Sequence, residues 1–98
     1  MKKVPISVVI PTYNEEKTIG HLLEKLTSQS FSPNEILISD GQSSDKTISI
    51  INSFKIKNDS ITLLKRKGKC RGSGRNEGIF KASNEVIALI DSGIYPDK

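Results

Sequence analysis

Four short runs of apolar, largely β-branched residues recur along the chain: Ile6–Ile10 (ISVVI), Glu35–Ser39 (EILIS), Ile61–Leu64 (ITLL) and Val86–Ile90 (VIALI). None alternates cleanly between apolar and polar, which is how strands buried on both faces read. Between them the period changes. Ile19, Leu22, Leu23 and Leu26 fall at i, i+3, i+4 and i+7, one face of a helix. Thr12 or Asn14 can cap its start, and Glu15 and Glu16 suit the positive end of its dipole. Ile48, Ile51 and Phe54 share a face of a second helix, with Ser44 or Asp45 as its cap. Ser73 can cap a third helix holding Ile79, Phe80 and Ala82, a weaker pattern because Gly78 sits inside it. The order is β-α-β-α-β-α-β. It predicts an α/β fold in three layers, α/β/α, around a mostly parallel sheet with right-handed crossovers.

In such sheets ligands bind beyond the carboxyl ends of the strands. The chemistry is therefore expected in Pro11–Glu15, Asp40–Asp45, Lys65–Arg75 and Asp91–Pro96, segments that hold five of the seven glycines. No repeat, linker or low-complexity tract interrupts the pattern.

Composition narrows the class. The 98 residues make one modest domain, and 35% hydrophobic content is lean but too high for a disordered chain. No apolar run approaches the roughly 20 residues of a membrane span, and Pro5 and Pro11 break the stretch after the basic Met1-Lys2-Lys3 start, which argues against a signal peptide. One cysteine, Cys70, excludes a disulfide framework and fits a reducing, cytoplasmic setting.

The net charge of +4 is unevenly spread. Residues 1–54 carry five cations and six anions; the remainder carries ten cations and five anions. Six of those cations fall within Lys65–Arg75, which has no anion. That segment reads as a solvated loop or as an anion site, since cations beside glycines suit phosphate. Nucleic acid is disfavoured, because no aromatic residue interleaves the cations.

Each loop has an ordinary structural reading beside a chemical one. Pro11 is expected to stop the first strand, after which backbone N–H groups at a helix start can hold an anion and Tyr13 can stack on a flat ligand. Asp40 stands at a strand end, where a carboxylate can accept from a base or ribose, and Gly41 allows close backbone approach. Gly72-Ser73-Gly74-Arg75-Asn76-Glu77-Gly78 is one residue off the dinucleotide fingerprint and follows a late strand, so a nicotinamide or flavin site is rejected, while Arg75 stays a phosphate or base contact. Asp91 directly follows an apolar strand, a place for a sugar hydroxyl or a hard cation. His21 reads as a surface residue, and Cys70 has no partner for thiol catalysis.

Taken in order, the segments form a pattern. Ser7–Glu16 reads SVVIPTYNEE, Glu35–Thr47 reads EILISDGQSSDKT, Arg75-Asn76-Glu77-Gly78 is followed by Ala82, and Ile90-Asp91-Ser92-Gly93 comes last. This resembles the inverting nucleotide-sugar glycosyltransferases of family 2, whose GT-A fold opens with S-V-V-I-P-T-Y-N-E-E, continues with E-I-I-V-V-D-(D/G)-G-S-T-D-G-T and R-N-x-G-x-x-x-A, and then carries D-x-D. The resemblance implies that Pro11, Thr12, Tyr13 and Glu15 line a nucleotide pocket with Asp40 and Gly41, and that Asp40 accepts from the base, typically uracil. It places Arg75 near the nucleotide and Asp91 and Gly93 at the ribose, diphosphate or metal; Lys69 and Arg71 join them from charge alone. It implies a divalent cation, Mn²⁺ or Mg²⁺, held by Asp91 with one carboxylate fewer than the family pattern, since Gly93 replaces the second Asp. Gln42 replaces the usual Gly of the second motif.

The expected activity is transfer of a sugar from a nucleotide-diphospho-sugar, a UDP-sugar above all, to an acceptor hydroxyl. Residues 1–98 would be the donor-binding portion, cut before the acceptor-binding half that carries the catalytic base, so the chain alone is expected to be inactive. The other reading is a nucleotide-binding module without catalysis. The exposed sheet edge after Val86–Ile90 predicts self-association, and membrane association is left to a longer natural product.

Overall fold

The computed structural model describes the backbone of residues 2–65 and 71–90 and the side chains of 3–65 and 76–90. The elements are β1 (Lys2–Thr12), α1 (Ile19–Ser28), β2 (Phe31–Asp40), α2 (Thr47–Lys55), β3 (Ile61–Lys65), α3 (Arg71–Lys81) and β4 (Val86–Leu89). The expected alternation is present. The strands form one sheet in the order β3-β2-β1-β4, and every pair is parallel.

That order explains the layers. From β1 to β2 to β3 the chain steps in one direction through α1 and α2, and it then steps back past β1 to place β4. Right-handed crossovers in opposite directions put their helices on opposite faces. Accordingly, α1 and α2 pack together over one face, while α3 lies on β1 and β2 from the other. Even-numbered strand residues Val8, Ile10, Ile36 and Ile38 meet Ile19, Leu23, Leu26 and Ile51 in the main core. Each fully buried Leu or Ile contributes about 1.5–3 kcal/mol relative to exposure. Connections diverge between β1 and β4, so the carboxyl end of β1 lies at a topological switch point.

Several local expectations need correction. Pro11 does not stop β1, which runs to Thr12 and also contains Pro5. Strand residues alternate the side to which their N–H and C=O point. Val9 points its carbonyl towards β4, where it accepts from Ile90 N–H. Pro5 and Pro11 share that parity, and both fall outside the stretch Ile6–Val9 that pairs with β4. Their missing N–H groups therefore break no ladder bond on that side. A register shift between Val4 and Ser7 absorbs the irregularity at Pro5.

Helix starts differ too. The first helix begins at Ile19, and Glu15 C=O accepts from Thr18 and Ile19 N–H, so neither Thr12 nor Asn14 caps it. The third helix starts at Arg71, which leaves Ser73 inside it and makes helix of the glycine-rich stretch 72–78. Ile79 and Phe80 do not face the sheet: they are 42% and 87% exposed. Gly78 faces it instead. A Cβ built there would lie 2.2 Å from Val9 Cγ1, so α3 rests on β1 at a distance only glycine allows.

Candidate functional site

Register sets the frame. Thr12, Asp40 and Lys65 are level with one another at the carboxyl ends of β1, β2 and β3. Two loops rise from this line, Tyr13–Thr18 before α1 and Gly41–Lys46 before α2, and they are tied together almost residue by residue.

Asp40 is the central tie. It is wholly buried, and its Oδ1 accepts from Thr12 Oγ1 at 2.7 Å and Ser43 Oγ at 2.6 Å, while its Oδ2 accepts from Ser43 N–H at 2.8 Å. Gly41 N–H donates to Thr12 C=O at 2.9 Å. A buried carboxylate is tolerated only when its oxygens are hydrogen-bonded, and here the donors come from the end of β1 and from the second loop. Asn14 extends the tie. Its N–H donates to Ser43 Oγ at 2.8 Å, and its Oδ1 accepts from Ser44 and Asp45 N–H at 2.8 and 3.3 Å. Asn14 thus serves the neighbouring loop instead of its own helix. It sits at φ 52°, in the left-handed region that asparagine tolerates better than most residues.

Exchange continues up to the second helix. Glu15 N–H donates to Thr47 Oγ1 at 2.7 Å, and Thr47 donates its N–H and hydroxyl to Asp45 Oδ1 at 2.9 and 2.5 Å. The N-cap of α2 is Lys46, not Ser44 or Asp45 as expected, but Asp45, one residue earlier, still serves the first amide of the helix. Its Oδ2 takes Glu16 N–H, and Glu16 Oε1 takes Lys46 N–H. Burial pushes the Asp45 carboxyl up, but the Thr47 hydroxyl and N–H, with the N–H groups of Glu16 and of Asp45 itself, outweigh it and hold the group below its ordinary value.

Gln42, in place of the family's usual Gly, takes φ 64°. The turn keeps a left-handed residue and accommodates glutamine at some cost, with the side chain exposed. An open cleft of about 470 Å³ beside α1 is lined by Asn14, Glu15, Glu16, Lys17, Thr18 and Asp45. Three carboxylates against one lysine give it the wrong sign for a diphosphate.

The structure therefore brings together Pro11, Thr12, Tyr13, Glu15, Asp40 and Gly41. Pro11, Thr12 and Glu15 are buried, Gly41 is buried between the strand ends, and Tyr13 is half-buried in the first loop. Arg71 and Arg75 lie in the first turns of α3. Lys69, Asp91 and Gly93 lie outside the described residues. His21 is exposed on α1, as expected. Sequence reasoning missed the braces, namely Ser43, Thr47 and the amide of Asn14, because their partners lie about 30 residues away.

It also missed two ties on the other side of the sheet. Ser39 Oγ donates to Glu77 Oε1 at 2.7 Å, joining the end of β2 to α3. At the opposite end of the sheet, Glu35 accepts from Ser7 Oγ at 2.6 Å, Ser83 N–H at 2.8 Å and Ser83 Oγ at 3.1 Å. Burial raises the Glu35 carboxyl, and these three donors more than reverse that, leaving it below its usual range. Among the described residues, no three of His, Cys, Asp and Glu converge to hold a metal ion. Asp91, the ligand expected from sequence, is not among them.

A parallel, doubly wound sheet with two braced loops at its switch point defines an α/β domain of the Rossmann-like kind. Comparison with known proteins makes the assignment specific: the model of glycosyl transferase family 2 matches residues 7–97, and the chain belongs to that family. It is 35% identical over 94 residues to a poly(ribitol-phosphate) beta-glucosyltransferase of Bacillus spizizenii, covering 92% of this chain and 15% of that protein. It is 34% identical over 95 residues to the poly(ribitol-phosphate) beta-N-acetylglucosaminyltransferase TarS of Staphylococcus aureus, covering 94% and 17%. The crystal structure of S. aureus TarS 1–349 in complex with UDP superposes with a TM-score of 0.81 at 31% identity, over 91% of this chain and 27% of that one. A mannosyltransferase from Pyrobaculum calidifontis, crystallised with GDP-Man and Mn²⁺, shares the fold at a TM-score of 0.81 and 23% identity, over 94% of this chain and 28% of that one. The chain thus spans under a third of the length of each of these proteins. Among the described residues no helix is long and apolar enough to cross a membrane.

Proposed function

We propose that this chain is the donor-binding portion of a glycosyltransferase that moves a sugar from a nucleotide diphosphate, UDP in the first instance, to an acceptor hydroxyl. The observation that carries the reading is the pair of loops braced through Asp40 at the switch point of a family 2 domain. A nucleotide needs a rigid, shaped rim, and the Asp40, Asn14 and Thr47 ties supply it before any ligand arrives, lowering the ordering cost of binding. The similarity to TarS, which was crystallised with UDP, supports uracil as the base.

In this reading Asp40, Gly41, Pro11, Thr12 and Glu15 form the floor beneath the base, with Asp40 holding both loops in place. Tyr13, half-buried at the loop, packs its ring on the uracil. Arg71 and Arg75, in the first turns of α3, meet the diphosphate, whose charge grows as the glycosidic bond to the sugar breaks. Asp91 and Gly93 enter from the resemblance alone, and Lys69 from its charge alone. A divalent cation, Mn²⁺ or Mg²⁺, would be held by Asp91, which lies outside the described residues, and would offset charge on the leaving diphosphate. The base that deprotonates the acceptor belongs to the other half of such an enzyme. The single cysteine fits a cytoplasmic setting.

Self-association is part of the proposal. Val86 and Leu89 are 58% and 48% exposed on opposite faces of β4, and among the described residues β4 pairs with β1 alone. An apolar, unpaired strand edge is a template for a second copy.

The test is calorimetry of the 98-residue chain with UDP, GDP and their sugars, alongside Tyr13→Ala, with light scattering on the same samples. UDP binding weakened by about 1–2 kcal/mol in Tyr13→Ala is the expected result, comparable to loss of one base–aromatic stack. Absence of binding to any nucleotide overturns the reading, and a monomer at high concentration overturns the self-association.

A further inference from the structure

We infer that Ser39 and Glu77 form a positioning pair that holds the cationic first turns of α3 in register with the nucleotide loops. This rests on the nucleotide reading above and concerns the diphosphate end of that site.

The argument starts from how α3 is seated. Gly78 lets the helix approach β1 until Val9 is in contact, which fixes its distance from the sheet. A glycine contact is smooth, so it does not fix rotation about the helix axis or sliding along it. A directional bond does. One residue before Gly78, Glu77 accepts from Ser39 Oγ at 2.7 Å. Ser39 is wholly buried on β2 and directly precedes Asp40, the residue that ties both loops. One hydrogen bond thus connects α3 to the strand end on which the loops are built.

Arg71 and Arg75 precede Glu77 by six and two residues on the same helix. A helix advances about 1.5 Å and turns about 100° per residue. A slip of one residue at Glu77 would therefore swing both arginines by that angle relative to the strand ends. Glu77 adds a negative charge near the expected anion, so its presence opposes binding unless its geometric role outweighs that repulsion. A partner for a buried hydroxyl that also orients a helix is such a role. Glu77 is therefore a positioning residue and touches no ligand.

The test compares the 98-residue chain with Glu77→Ala, Ser39→Ala and Glu77→Gln by calorimetry with UDP and with uridine. Uridine lacks the diphosphate, so the ratio of the two affinities isolates the contribution of the α3 cations. Glu77→Ala and Ser39→Ala are each expected to weaken UDP about fivefold, the worth of one hydrogen bond, with uridine unchanged. Glu77→Gln keeps an acceptor oxygen and removes the opposing charge, so it is expected to give a ratio at or above the wild-type one. Combining Glu77→Ala with Ser39→Ala is expected to cost no more than either alone.

An unchanged ratio in both alanine variants overturns the inference while the nucleotide reading stands, as does equal loss of UDP and uridine, which marks a merely structural role. No binding of either ligand by the unaltered chain overturns the nucleotide reading and the inference with it. Should Glu77→Ala fail to fold, Ser39→Ala, which removes one oxygen, decides the matter.

Discussion

Replacing Gly78 with alanine sets two effects of opposite sign against each other. In a helix, alanine is favoured over glycine by about 1 kcal/mol. Against this stands the contact with β1. The new Cβ would lie 2.2 Å from Val9 Cγ1, 3.0 Å from Cγ2 and 3.1 Å from Cβ, where ordinary contact begins at 3.4 Å. Turning the valine side chain moves the two methyl groups but leaves Val9 Cβ in place, still too close. Val9 itself is wholly buried in a central strand, with its carbonyl bonded to Ile90 N–H. The helix must therefore lift, by the 0.3 Å still missing at Val9 Cβ if the methyl groups turn away and by up to the 1.2 Å deficit at Cγ1 if they do not. Overpacking of this kind costs about 1–3 kcal/mol, and lifting α3 also stretches the Ser39–Glu77 bond, a further ~1 kcal/mol. The clash outweighs the propensity, so Gly78→Ala is expected to destabilise the fold by about 1–3 kcal/mol. For a domain of this size that lowers Tm by about 4–8 °C per kcal/mol. Urea denaturation followed by circular dichroism measures it. In a Val9→Ala background, where the two methyl groups are gone, the cost should fall by more than half. A Gly78→Ala protein as stable as the original, or more so, would refute the close packing of α3 on β1.

Two further outcomes follow from particular residues. Gln42 pays for a left-handed conformation at φ 64°; a side chain there costs about 1–2 kcal/mol, and glycine's greater loss of chain entropy returns about 0.5–1 kcal/mol of that. Gln42→Gly should therefore stabilise by about 0.5–1 kcal/mol in urea, and a loss of stability would show that the side chain makes a contact outweighing the strain. The Glu35 carboxyl is held below its ordinary 4.5 by Ser7 and Ser83. In the unfolded chain the group binds protons more readily, so its contribution is fully present above about pH 4.5 and disappears as pH falls through the lower folded value. Thermal melts between pH 3 and 7 should show this acid loss, and Glu35→Gln should flatten it; an unaltered acid profile in that variant would discount the role of Glu35.

The sequence by itself determined the order of elements, the parallel sheet and the family. Periodicity is local, so the apolar face of α1 and the four strand centres could be read directly, and the four loop motifs put the expected site at the carboxyl ends. Asp40, Tyr13 and the first turn residues were visible for the same reason: each is marked by its position at the end of an apolar run. What remained hidden depends on distance between segments far apart in the chain. Proline 11 reads as a strand breaker until the register shows that its nitrogen points past the end of β4. Gly78 reads as a weakness in a helix until Val9 is placed beneath it. Asn14 reads as a cap for its own helix, but its amide serves the loop about 30 residues on. Ile79 and Phe80 read as a buried face and point outward, because α3 approaches the sheet through its glycine. A hydrogen bond or a close contact is decided by which surfaces meet. Only the tertiary structure decided that, through the sheet order and the opposite-face placement of α3 that right-handed connections impose.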